Sequence, residues 1–154
     1  MRYKEEISFL EKVEDKKKAE MNERKKWTDE ETTELSLQYP GIPEDYLDYL
    51  KEIGTGSFRE CQFIVHGALE TIEDLTGYDL YDLYDLEDKK FLVFGDNYSG
   101  DFSGFLIEDE WKVAEFWHES EELHITGQTF QQYIRNQMLM DESGGDRRIK
   151  VTSI

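Results

Sequence analysis

Near residue 58 the spacing of apolar side chains changes period, and this limits the fold more than any other feature of the chain. Upstream, apolar residues recur every three to four positions. In "IPEDYLDYLKEIGTG" (42–56), Tyr46, Leu47, Leu50 and Ile53 share one helical face. Pro43 sits at or just before the first turn, Glu44 and Asp45 complement the helix N-terminus, and Gly54 is placed to end it. Downstream come short aromatic and β-branched segments divided by turn residues: "CQFIVHG" (61–67), "FLVFG" (91–95), "FSGFLI" (102–107) and "WKVAEFW" (111–117). The second and third are apolar on both faces and are expected as central strands. The third and fourth are joined only by "EDE" and are expected to form a hairpin.

Further elements flank these. "WTDEE" places Thr28 as an N-cap with Glu31 three residues on, and Pro40 stops that helix near residues 39–41. "ELHIT" (122–126) reads as a last strand. Thr129 and Gln132 repeat the capping-box spacing before a helix with Phe130, Tyr133, Ile134 and Met138 on one face. The predicted fold class is α+β: a largely antiparallel sheet with N-terminal helices and a C-terminal helix packed around it. Residues 1–26, with Tyr3, Ile7, Leu10 and Val13 at helical spacing, are expected as a charged helical extension. Residues 27–140 form the single domain, and residues 141–154 a loosely ordered tail.

The chain has 154 residues and a formal charge of −18. The imbalance is local: residues 1–26 hold nine bases and seven acids (+2), whereas residues 27–140 hold six bases and 26 acids (−20). Such a body repels nucleic acid and anionic membranes and attracts cationic partners, or the acidity serves only to keep a small protein in solution. The N-terminal stretch lacks the apolar core of a signal peptide, no apolar run reaches membrane-span length, and Cys61 is the single cysteine. A cytoplasmic location, without membrane or nucleic-acid binding, is expected. The segment "YDLYDLYDLED" (78–88) stands apart, since its three-residue period fits neither helix nor strand. Either it is an exposed connection pinned by Leu80, Leu83 and Leu86, or it is a contact surface. In the second case Asp79, Tyr81, Asp82, Tyr84, Asp85, Glu87 and Asp88 meet a Lys/Arg-rich partner.

"FGDNYSGDFSGF" (94–105) invites a metal or phosphate reading, and both fail. A calcium loop begun at Asp96 would need an oxygen ligand at its fifth position and glutamate at its twelfth, where Gly100 and Ile107 stand. No lysine follows the glycines, and two aspartates repel a phosphate. "HESEELH" (118–124) lacks the second histidine that a zinc-protease helix requires at Glu122. Cys61 and His66, five apart in an expected strand, fall on opposite faces. No enzyme, no cofactor and no metal site is expected. Gly95, Asp96, Gly100 and Asp101 are read as a structural turn.

The order of these segments resembles the SUKH superfamily, the group of cell-wall-regulator-like Smi/Knr domains. Pro43, Tyr46, Tyr49 and Leu50, followed by Gly54 and Gly56, match its proline-started helix. The two Gly–Asp pairs match its strand–turn–strand signature, and Val113, Phe116, His118 and Glu119 its next element. "TFQQYI" resembles its closing helix. The resemblance covers about residues 28–140 and implies a mixed fold with no catalytic residues to transfer. Bacterial members resemble immunity proteins, which neutralise a cognate toxin, often a nuclease. Fungal relatives resemble regulators of cell-wall synthesis. The expected partner is therefore a protein toxin with a basic surface, encoded by a neighbouring gene. The alternative is a non-catalytic regulatory or scaffolding adaptor.

Overall fold

In the computed structural model, which describes residues 1–77 and 91–148, seven strands pair in the order β1-β2-β3-β4-β5-β6-β7, each antiparallel to its neighbour. They are β1 (Arg24–Lys25), β2 (Thr55–Phe58), β3 (Phe63–Glu70), β4 (Phe91–Asp96), β5 (Phe102–Leu106), β6 (Lys112–Trp117) and β7 (Glu122–Gln128). The helices are α1 (Lys4–Val13), α2 (Asp29–Gln38), α3 (Glu44–Glu52), the short α4 (Ile72–Thr76) and α5 (Phe130–Gln137). The fold is α+β, as the change of period implies.

Period-two alternation along the strands divides the apolar residues between two faces. Leu92, Phe94, Phe105 and Val113 point to one side, where they meet Tyr46, Tyr49 and Leu50 of α3 and Phe130, Tyr133 and Ile134 of α5. Rings of Phe94 and Phe105 lie 4.8 Å apart, with Tyr46 5.1 Å from Phe105 and Phe130 5.0 Å from Phe94 in edge-on contact. Phe91, Val93, Leu106, Ala114 and Phe116 point to the other side, where Ile72 of α4 joins them. A sheet with both faces apolar explains why β4 and β5 read as continuous apolar runs.

Both capping boxes form. Thr28 accepts the Glu31 amide while Glu31 accepts the Thr28 amide, and Thr129 and Gln132 repeat the exchange at α5. Segment 1–26 departs from the expected charged helix. Helix α1 ends at Val13, a 3-10 segment (Lys16–Met21) follows, and Arg24 and Lys25 pair with Gly56 and Thr55. The cause is tertiary: the Glu14 carboxylate takes two hydrogen bonds from the Arg24 guanidinium, both 2.8 Å, and a third from the Arg59 amide. Asp15 then caps the next turn by accepting the Lys17 amide. Tyr3, Phe9 and Leu10 enter the main core. Strand β3 starts at Phe63, not Cys61, because Arg59, Glu60 and Cys61 carry positive φ and turn the chain there.

Residues 141–148 are also held. Met140 bridges to Asp146, whose carboxylate receives two 2.8 Å hydrogen bonds from Arg59, a side chain only 3 % exposed. The Arg59 guanidinium also lies 5.4 Å over the Phe9 ring, so α1, the β2–β3 turn and the tail converge on one cation.

Candidate functional site

One Gly–Asp pair, Gly95–Asp96, ends β4, and the other, Gly100–Asp101, lies in the turn before β5, each in a different role. Gly95 pairs with Val65 in the β3–β4 ladder, and a Cβ there would stand 2.4 Å from the carbonyl oxygen of the preceding Ile64. Asp96 follows at the end of β4. One of its oxygens accepts the Tyr98 amide at 2.7 Å, and the other lies 2.7 Å from His66 Nε2. Gly100 has φ +93°, a conformation that side chains rarely adopt, and it lies directly under the His118 ring. Asp101 reaches across to the next hairpin, accepting the His118 amide at 3.1 Å and pairing with His118 Nδ1 at 2.9 Å. Asn97 braces the turn from inside by accepting the Ser99 amide.

Each aspartate therefore ties its turn to a neighbouring strand or hairpin through a histidine. Burial raises both carboxyls, but hydrogen bonds outweigh it: those from His66 and the Tyr98 amide leave Asp96 below the ordinary aspartate range. Those from His118 and Asn97 do the same for Asp101.

Beside this turn lies the β6–β7 turn, "HESE" (118–121), all of it exposed, as is Glu122 at the start of β7. Two large aromatics emerge at the same end of the sheet: Tyr98, 50 % exposed, and Trp117, 43 % exposed. The Tyr98 hydroxyl is hydrogen-bonded to Ser57 of β2. The Trp117 indole N–H donates to Glu115, and the His124 imidazole stacks on it with centroids 3.7 Å apart. Beneath, Glu115 accepts the Tyr133 hydroxyl at 2.5 Å, and Ser103 completes the chain at 2.5 Å from the same phenol. Burial, then the Glu115 charge, pushes the Tyr133 phenol far above its usual value, so it stays a donor. This buried relay fixes Glu115 and hence the Trp117 ring.

Between residues 91 and 128 the chain carries nine carboxylates against one lysine; Asp96, Asp101, Glu115, Glu119, Glu121 and Glu122 lie towards this end, whereas Glu108, Asp109, Glu110 and Lys112 lie at the opposite one. The hairpin-tip end thus offers fixed carboxylates and two half-exposed aromatic rings, suited to hydrogen-bonding and stacking against a cationic protein surface. Asp79, Tyr81, Asp82, Tyr84, Asp85, Glu87 and Asp88, expected from sequence as the contact surface, lie outside the described residues. Cys61 and His66 are not brought together: Cys61 Sγ faces the Met21 carbonyl, while His66 faces Asp96. Among the described residues no three His, Cys, Asp or Glu side chains converge to hold a metal ion, and no helix is long and apolar enough to cross a membrane. Sequence reasoning missed Tyr98 and Trp117. Trp117 alternates with Phe116 at a strand end, and that period-two position was the available signal.

The chain is an α+β domain in which turns held by histidine–aspartate contacts join the strands of a meandering antiparallel sheet. The family model described as SMI1-KNR4 cell-wall, a SUKH family, matches residues 31–134, more than half of the chain. The chain belongs to this family. No curated protein and no solved structure gives a significant match.

Proposed function

We propose that this protein is a cytoplasmic immunity protein that neutralises a toxin with a basic surface by binding it, without catalysing a reaction. The observation that carries this reading is the set of six carboxylates, Asp96, Asp101, Glu115, Glu119, Glu121 and Glu122, towards the end of the sheet that bears half-exposed Tyr98 and Trp117. A nuclease-type toxin binds phosphates and so has a cationic active site. An acidic protein occupies such a site as a substrate mimic and associates rapidly through long-range attraction. The carboxylates of residues 79–88 add to the net negative charge of the same chain.

Co-expression with the product of the neighbouring gene tests the reading. Rescue from toxicity together with a stoichiometric complex in pull-down is expected. Neither binding nor protection would remove its support. The family description, which names the cell wall, favours a second reading: a regulatory adaptor without a toxin. Capture of cell-wall synthesis components, with no effect on any toxin, would select it.

A further inference from the structure

The sheet has two edges, and they are unlike. Strand β1 is two residues long, a short edge that offers little to a new strand. Strand β7 is seven residues long, and among the described residues strands pair with it only on its β6 side. Its final part is irregular. Register shifts between Val113 and Ala114, the Thr126 hydroxyl donates to the Val113 carbonyl, and Gly127 has φ +69°. The regular outer edge is therefore residues 122–125, which pair in unbroken register with Trp117, Phe116, Glu115 and Ala114.

Side chains on that edge divide cleanly by face. Glu122 and His124 stand beside Trp117 and Glu115 on the polar side. Leu123 and Ile125 stand beside Phe116 and Ala114 on the apolar side, and Ile125 is 65 % exposed. An apolar β-branched residue left open on a long edge departs from the usual protection of edges by lysine or proline.

We propose that this edge receives an extended segment of the protein partner as an eighth strand, one whose side chains alternate basic and apolar. The proposal rests on the basic partner proposed above and adds the mode of recognition. Backbone hydrogen bonds along residues 122–125 supply affinity. Alternation supplies specificity: lysine or arginine falls beside Glu122 and the exposed Glu119 and Glu121, and aliphatic residues fall beside Leu123 and Ile125. A second copy of this chain is disfavoured as occupant, because two bodies each at −18 repel.

The test uses the full chain and two blocked octapeptides of identical composition and charge, one alternating lysine and valine, the other four lysines followed by four valines. At low salt the alternating peptide is expected to bind about tenfold more tightly and to slow amide exchange along residues 122–125. Ile125→Lys is expected to weaken that binding about tenfold, with the thermal midpoint unchanged because the side chain is exposed. Equal affinity for both peptides would overturn the strand while leaving an acidic docking surface intact. Protection confined to other segments, or binding of neither peptide, would overturn it too. The neighbouring-gene pull-down decides the functional reading separately.

Discussion

At Gly95 a single methyl group would meet the Ile64 carbonyl oxygen at 2.4 Å and the Phe63 ring at 2.7 Å. Neither neighbour can retreat, since Ile64 is held in the β3–β4 ladder and Phe63 is fully buried. Gly95→Ala is therefore expected to cost about 1–3 kcal/mol, as overpacking of a well-packed core does, read as a lower urea midpoint with unchanged slope. The adjoining aspartates make a different prediction. Asp96 and Asp101 titrate below their ordinary value in the folded state, so their stabilisation is fully present above the unfolded aspartate pKa of about 3.9. It is lost as pH falls through the depressed folded values. Stability measured on the acid side should thus fall less steeply below about pH 4 in Asp96→Asn/Asp101→Asn than in the parent chain. An unchanged slope would mean that these tethers contribute nothing to folding. The sequence pointed to a strand–turn–strand element here, but it could not show the histidines that tie it down. His66 is 30 positions from Asp96 and His118 is 17 from Asp101, so only strand register brings them into contact.

Among the elements, those with strong local signals were legible and those made by distant contacts were not. Helices α2, α3 and α5 announced themselves through capping boxes or a proline start, and β4 to β6 through apolar runs around a tight connection. Strands β1 and β2 had no such signal. Two residues carry no periodicity, and Gly54 and Gly56 read as a helix stop although the chain at Glu23 and Lys25 packs directly against them. The end of α1 was hidden for a similar reason, because lysine and glutamate continue to favour helix past Val13 while Arg24 and Arg59 draw Glu14 out of it. Arg59 also reaches Asp146, 87 positions away, and closes the tail onto the β2–β3 turn. Both side chains are largely sealed from water, 3 % and 9 % exposed. Removing the cation alone leaves a carboxylate in a poorly solvated place, so Arg59→Met is expected to destabilise by about 3 kcal/mol or more. Limited proteolysis should then cut sooner after Met140. If Arg59→Met/Asp146→Leu recovers most of that loss, the cost lies in the stranded charge and not in lost packing.

For the whole molecule the governing quantity is the distribution of charge. The +2 of residues 1–26 and the −20 of residues 27–140 lie on one body, because α1 and β1 pack into the same core and sheet as the acidic elements. The excess of bases in residues 1–26 offsets only a little of the negative field. Two acidic regions compete as the source of steering: residues 79–88, and the tips that carry Glu119 and Glu121. Neutralising Asp79, Asp82 and Asp85 together is expected to slow association with a basic partner severalfold at low salt, and Glu119→Gln/Glu121→Gln to do the same. Both effects should shrink as ionic strength approaches physiological, where the screening length falls to about 8 Å. Substitutions that act only through this field change the association rate and leave dissociation nearly constant. If instead Glu119→Gln/Glu121→Gln speeds dissociation while Asp79→Asn/Asp82→Asn/Asp85→Asn alters only association, the tips touch the partner and the upstream run acts from a distance. Stopped-flow association and dissociation at two salt concentrations separate these cases. A triple variant that speeds dissociation would move the contact face to residues 79–88.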